Sequence, residues 1–131
     1  MYPAPPTLEE TIDRMGCLPV AFRLRSPVSL ITLADQTGYD YHRDSLDIAC
    51  LRNAIHGRTG LIDAWLLYSR EKTEEWGWFM EAADRGSFLV GPRRYSIEGP
   101  QLIADPAEAC AHFIKREFEC LLPRRLACVT R

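Results

Sequence analysis

The stretch "EEWGWFMEAADRGSFLV", residues 74–90, decides how the second half of this chain folds. Two short apolar runs lie on either side of the turn-forming "ADRG", which predicts two antiparallel strands joined by a hairpin. On the first strand Trp76, Trp78 and Met80 share one face, and Gly77, Phe79 and Glu81 share the other. Its neighbours read in the same way. "LIDAWLLYS" (61–69), "SFLVG" (87–91) and "RYSIEG" (94–99) are predicted strands, separated by "REKTE", "ADRG" and "GP". In the first of these Ile62, Ala64, Leu66 and Tyr68 would oppose Asp63, Trp65 and Leu67. The product is an antiparallel meander with large apolar groups on both faces.

Helices flank it. "PAPP" at 3–6 is an extended lead-in. Thr7 and Glu10 then form a T-x-x-E capping box that opens a short helix ending at Gly16. "VAFRLR" (20–25) alternates and is read as a strand. "VSLITL" (28–33) is β-branched and is read as a second one, although Ser26-Pro27 would equally suit a helix start. "SLDIACLRNAIHG" (45–57) carries Ile48, Leu51 and Ile55 at helical spacing, opens at Asp44 or Ser45, and has Gly57 past its end. The chain closes with "DPAEACAHFIKREFECLL" (105–122). Asp105 is its N-cap, Pro106 its first residue, and Cys110, Phe113, Ile114, Phe118 and Leu121 its apolar stripe. The expected fold is therefore α+β, one domain over residues 1–131, with helices packed on one face of an antiparallel sheet. The other face must be polar or occupied by a partner.

Composition narrows the function. A chain of 131 residues with 47% apolar and 10% aromatic content builds a core without metal or disulfide support. The net charge of −2 gives no overall positive field for nucleic acid, and the arginines of "RRLACVTR" (124–131) read as a solvated tail. No apolar run reaches the roughly 18 residues of a membrane span, and the N-terminus lacks a secretory pattern. The five cysteines (17, 50, 110, 120 and 128) form no C-x-x-C pair and read as reduced thiols in a cytoplasmic protein.

Catalytic patterns are wanting. His42, His56 and His112 suit ordinary surface roles, and neither Cys50 with His56 nor Cys110 with His112 has zinc-ligand spacing. Cys50 and Cys110 read as core thiols rather than nucleophiles. "GPRRYSIEGPQ" lacks the spacing of a phosphate loop. The expectation is a non-enzymatic protein without metal or cofactor.

The aromatics of the opening stretch have two explanations. A central strand packed on both faces accounts for them as core. Alternatively one row is partly exposed, and Glu71, Glu74, Glu75, Glu81 and Asp84, partly offset by Lys72 and Arg85, form an acidic rim around it. An aromatic centre in an acidic rim suits a basic protein partner.

From about Leu61 to Leu122 the order of elements resembles small bacterial immunity proteins of polymorphic or contact-dependent toxin systems. The resemblance lies in a strand "AWLLYS", a Trp-bearing strand "EWGWFMEA", the segment "DRGSFLVGPRRYSIEG" and the acidic-capped "DPAEACAHFIKREF" helix. It implies a cytoplasmic, non-enzymatic protein that binds a cognate toxin domain and occludes its active site, a basic nuclease being the partner that best matches an acidic surface. The expected contacts are Trp76, Trp78, Glu74, Glu75 and Asp84, with Tyr39, Asp40 and Tyr41 as a second patch. A small-molecule or regulatory binding module is the alternative, and a cysteine- or histidine-based hydrolase or transferase a third class.

Overall fold

The computed structural model describes residues 4–23, 29–72, 77–93 and 99–123. The fold is α+β, with helices packed against a three-stranded antiparallel sheet of order β1-β2-β3. Its elements are α1 (Leu8–Arg23), α2 (Leu30–Asp35), α3 (Tyr39–His42), α4 (Ile48–Ile55), α5 (Thr59–Glu71), β1 (Trp78–Ala82), β2 (Phe88–Pro92), β3 (Gln101–Ile103) and α6 (Pro106–Leu121).

The predicted caps of α1 and α6 hold, and that of α4 does not. Thr7 N–H donates to Glu10 Oε1 at 2.8 Å, and Glu10 N–H donates to Thr7 Oγ1 at 3.1 Å, closing the capping box of α1. Asp105 Oδ1 accepts from Ala107 N–H at 3.2 Å, and Pro106 follows as the first helical residue of α6. α4 starts later than expected, with Asp47 as its cap, accepting from Cys50 N–H at 2.8 Å.

Three predicted strands are helices instead. α1 runs through Gly16 and Pro19 to Arg23, absorbing residues 20–23 of the strand expected at 20–25. Gly16 does not end the helix because it serves packing: a Cβ there would lie 2.9 Å from the Leu61 side chain of α5. The helical phase puts Met15, Leu18 and Phe22 on the inner face, and Phe22 stacks edge-on against Tyr68 at 5.1 Å. "VSLITL" contributes α2, capped by Ser29, whose Oγ accepts from Thr32 N–H. "LIDAWLLYS" lies within α5. At helical spacing Ile62, Trp65, Tyr68 and Ser69 form one buried face, which strand alternation would have split. Residues 24–25, the alternative helix start Ser26-Pro27, Val28 of "VSLITL", and residues 94–98 of the expected strand "RYSIEG" lie outside the described residues.

The hairpin itself is as predicted, with β1 paired to β2 through Phe79↔Gly91 and Glu81↔Leu89. Asp84–Ser87 makes the turn, with both central residues, Arg85 and Gly86, at positive φ. The short strand β3 was not foreseen. α5 and α6 meet the sheet, α4 lies along α6, and α1 covers α5. Trp65, Tyr68, Phe113 and Phe118 occupy the centre. Full burial of such a side chain stabilises by roughly 1.5–3 kcal/mol, so the aromatic cluster holds α5 against α6.

Candidate functional site

β1 is an edge strand, and its outer edge is closed by side chains. Lys72 and Glu117 form an ion pair at 2.5 Å with both side chains 0% exposed. Glu117 Oε1 accepts Trp78 N–H at 2.9 Å, and Lys72 Nζ donates to the Trp78 carbonyl at 3.3 Å. The pair therefore bonds both backbone groups of Trp78 as a neighbouring strand would. Tyr68 O–H donates to Glu117 Oε2 at 2.6 Å, and Met80 N–H donates to Ser69 Oγ at 2.9 Å. Gly77, at φ +86, makes room for this arrangement, since a Cβ there would lie 2.7 Å from both Glu117 Oε1 and Lys72 Nζ. Lys72 thus leaves the charged rim in which its sequence neighbours suggested it belonged.

The expected hairpin contacts divide. Glu74, Glu75 and Trp76 lie outside the described residues. Trp78 is half-buried on the helix-facing side of β1, under the Arg116 guanidinium at 4.9 Å. Asp84 is exposed on the turn. On the inner face Met80, Val90 and Ile103 are buried. The outer face carries Phe79, Leu89 and Gly91, with Pro100 packed over Gly91 and Phe79 so closely that a Gly91 Cβ would come within 2.7 Å of Pro100. Phe79 and Leu89 are half-buried, Glu81 is exposed, and Leu102, paired with Leu89, is 65% exposed. Among the described residues no helix covers this face.

The second patch is reorganised around α6. Tyr39 is wholly buried and gives no contact surface; its O–H donates to Glu119 Oε2 at 2.5 Å, and its ring stacks on Phe118 at 5.1 Å. Asp40 is exposed but bonded to Arg43, whose side chain is nearly buried. Arg43 also donates to Glu119 Oε1 at 2.6 Å and to the Leu122 carbonyl at 2.5 Å. This clamp fixes the short α3 against the C-terminal end of α6. Only Tyr41, at 68% exposed, stands clear. Glu117 and Glu119 are two residues apart on α6, about 200° around the helix. The patch and the hairpin therefore flank α6 on opposite sides and do not merge.

Other chemistry-bearing groups are mostly tied down. Burial holds the Cys110 thiol far above its ordinary range, and burial followed by the Asp47 charge raises Cys50. Neither favours the thiolate. Cys17 is exposed. His42 Nε2 lies 2.7 Å from the Pro6 carbonyl. Among the described residues no group of three His, Cys, Asp or Glu is placed to hold a metal, and no helix is long and apolar enough to cross a membrane. A cavity of about 460 Å³ opens between α1 and α2, lined by Cys17, Leu18, Ala21 and Leu33 with Asp13 and Arg14 at one side.

His112 supplies a pH test. Burial, and then the Arg116 charge, lower its pKa, while Glu108 opposes the shift. The unfolded chain takes up this proton near pH 6.5 and the folded chain only at lower pH. Between the two values the unfolded state binds more protons, so stability falls as the pH drops through that window. Urea denaturation at pH 7 and pH 5.5 should show this loss in the native chain and a flatter profile in His112→Gln. An unchanged slope in the variant would assign the pH dependence elsewhere.

Comparison with protein-family models, curated proteins and solved structures finds no match to this chain.

Proposed function

We propose that this chain is a non-enzymatic binding protein of the immunity type, which neutralises a cognate bacterial toxin domain by covering it with the outer face of its β1–β2 hairpin. The observation that carries this is the apolar face formed by half-buried Phe79 and Leu89 and exposed Pro100, which no helix covers among the described residues, with the carboxylates of Glu81 and Asp84 exposed beside it. Apolar surface beside charge of one sign is how a protein both buries area and steers a partner of opposite charge. Lys72, sunk into its ion pair, no longer offsets the acidic residues, although Arg85 still does. A basic nuclease domain in the cytoplasm is the partner that this charge pattern fits. The sequence resemblance contributes the order of hairpin and capped helix, while its first element, 64–69, is helical here.

The test begins by recovering the tagged chain from its own host and identifying a stoichiometric partner by mass spectrometry. Phe79→Asp and Leu89→Asp should then each weaken binding by about 2–4 kcal/mol, the range of interface hot spots. Circular dichroism would confirm that each variant is folded. Glu81→Lys, like charge reversal at Glu74 and Glu75, should slow association and reduce its salt sensitivity. A partner that binds both aspartate variants as tightly as the native chain would remove the hairpin from the interface.

The cavity between α1 and α2 supports a second reading, a small-molecule binding module. Its volume lies in the range of ligand sites. It lies away from the sheet, so the two readings separate experimentally. A metabolite that raises the melting temperature and shields Cys17 from alkylation would favour the pocket.

A further inference from the structure

The two edges of the sheet are finished differently. Along β1 the outward N–H of Trp78 and of Met80 and the carbonyl of Trp78 all meet side chains. The bonds Arg93 N–H to Gly77 O and Ala83 N–H to Ser87 O fix the phase of the ladder. Phe79 and Glu81 therefore bond towards Gly91 and Leu89, and Phe88 and Val90 turn towards β3. Ile103 and Gln101 answer them, which leaves the N–H and C=O of Leu102 directed at the open edge. Pro100, Gln101, Leu102 and Ala104 are all exposed, so among the described residues this edge is uncovered. Open edges are usually guarded by lysine or another charge, yet "GPQLIA" (99–104) carries none; Pro100 guards only its start.

We propose that β3 pairs with β3 of a second copy of this chain, antiparallel about a two-fold axis at Leu102, so that two sheets join into one. The edge is self-complementary. In an antiparallel hydrogen-bonded pair each residue both gives and receives an N–H···O bond, so Leu102 satisfies its own symmetry mate. Residues 99–104 carry no charge, so no like charges face each other within the paired segment itself. Directly opposed residues share a face, which places the two Leu102 side chains together on the outer surface and extends the apolar row of Phe79 and Leu89 across the dimer. A basic partner would be drawn to Glu81 and Asp84 rather than to this uncharged edge. The dimer is therefore independent of the toxin-binding reading and leaves the hairpin face open.

So short a seam buries little area, and association should be weak, with a dissociation constant of about 10 µM or higher. Sedimentation equilibrium of the full chain from about 1 µM to about 1 mM spans that range. The average mass should climb from the 15.0 kDa of one chain towards twice that value. Leu102→Lys sets two charges face to face, and should raise the dissociation constant by at least about tenfold while leaving circular dichroism unchanged. Opposed residues of a hydrogen-bonded pair have Cα atoms about 5.5 Å apart, within disulfide reach. Mild oxidation should therefore link Leu102→Cys into dimers well above the level of the native chain. Gln101→Cys, facing Ile103 of the other copy, should stay at that level. A native chain that remains monomeric throughout, a Leu102→Lys variant that associates as the native chain does, or equal cross-linking at 101 and 102 would each overturn the proposal.

Discussion

Lys72→Met should destabilise this protein by roughly 3–5 kcal/mol, the cost of leaving one member of a buried ion pair without its partner. Glu117 would be left at 0% exposure without its cation, with Tyr68 O–H and Trp78 N–H as remaining donors. The Trp78 carbonyl would lose the Lys72 donor. Chemical denaturation should show a lower midpoint at unchanged slope, and the melting temperature should fall by more than about 10 °C. Two further variants separate the charge from the backbone cover. Glu117→Gln keeps an acceptor near Trp78 N–H but strands the lysine. Lys72→Met combined with Glu117→Leu removes both charges, so the double change should cost clearly less than the sum of the single ones. It would still leave the edge of β1 open, and should aggregate more readily than the native chain. A loss below about 1 kcal/mol in Lys72→Met would mean that the pair does not hold the strand.

What was legible in the sequence was mainly what local chemistry decides. Capping boxes and N-cap residues act within four positions, so Thr7 with Glu10 and Asp105 with Pro106 announced α1 and α6. The hairpin was legible because two short apolar runs, covering 78–82 and 88–92, flank a turn signal. α5 was not, because "LIDAWLLYS" satisfies both periods and its N-terminal flank, Arg58, provides no side-chain cap. Its neighbours settle the choice: only a helix places Ile62, Trp65 and Tyr68 together against α6. The buried polar groups were missed for a related reason. Lys72 sits in a turn-like charged run, and its partner is 45 residues away. A signal did exist in α6, where Glu117 falls on the apolar stripe between Phe113 and Leu121. A carboxylate in that position calls for a buried cation. For Arg43, whose partners Glu119 and Leu122 are 76 and 79 residues distant, nothing local marked its burial.

Trp65→Ala should cost about 3–5 kcal/mol, and its pattern of coupling tests whether 61–69 is helix or strand. Trp65 is wholly buried, edge-on to Tyr68 at 5.0 Å, to Phe113 at 5.9 Å and to Phe118 at 6.2 Å. Truncation opens a cavity where α5 meets α6, and the opposing rings cannot close it without moving the helices. Trp65→Phe should cost markedly less. It keeps an aromatic in contact, and it removes an indole N–H that is buried without an acceptor among the described residues. The decisive quantity is a double-mutant cycle between Trp65 and Tyr68, truncating the latter to phenylalanine and to leucine. Three residues apart on a helix, the two rings touch and should couple by about 0.5–1.5 kcal/mol. On a strand they would point to opposite faces and their effects would add. Additive losses would return this segment to the sheet and would remove the closure of the β1 edge by Ser69 and Lys72, which depends on α5.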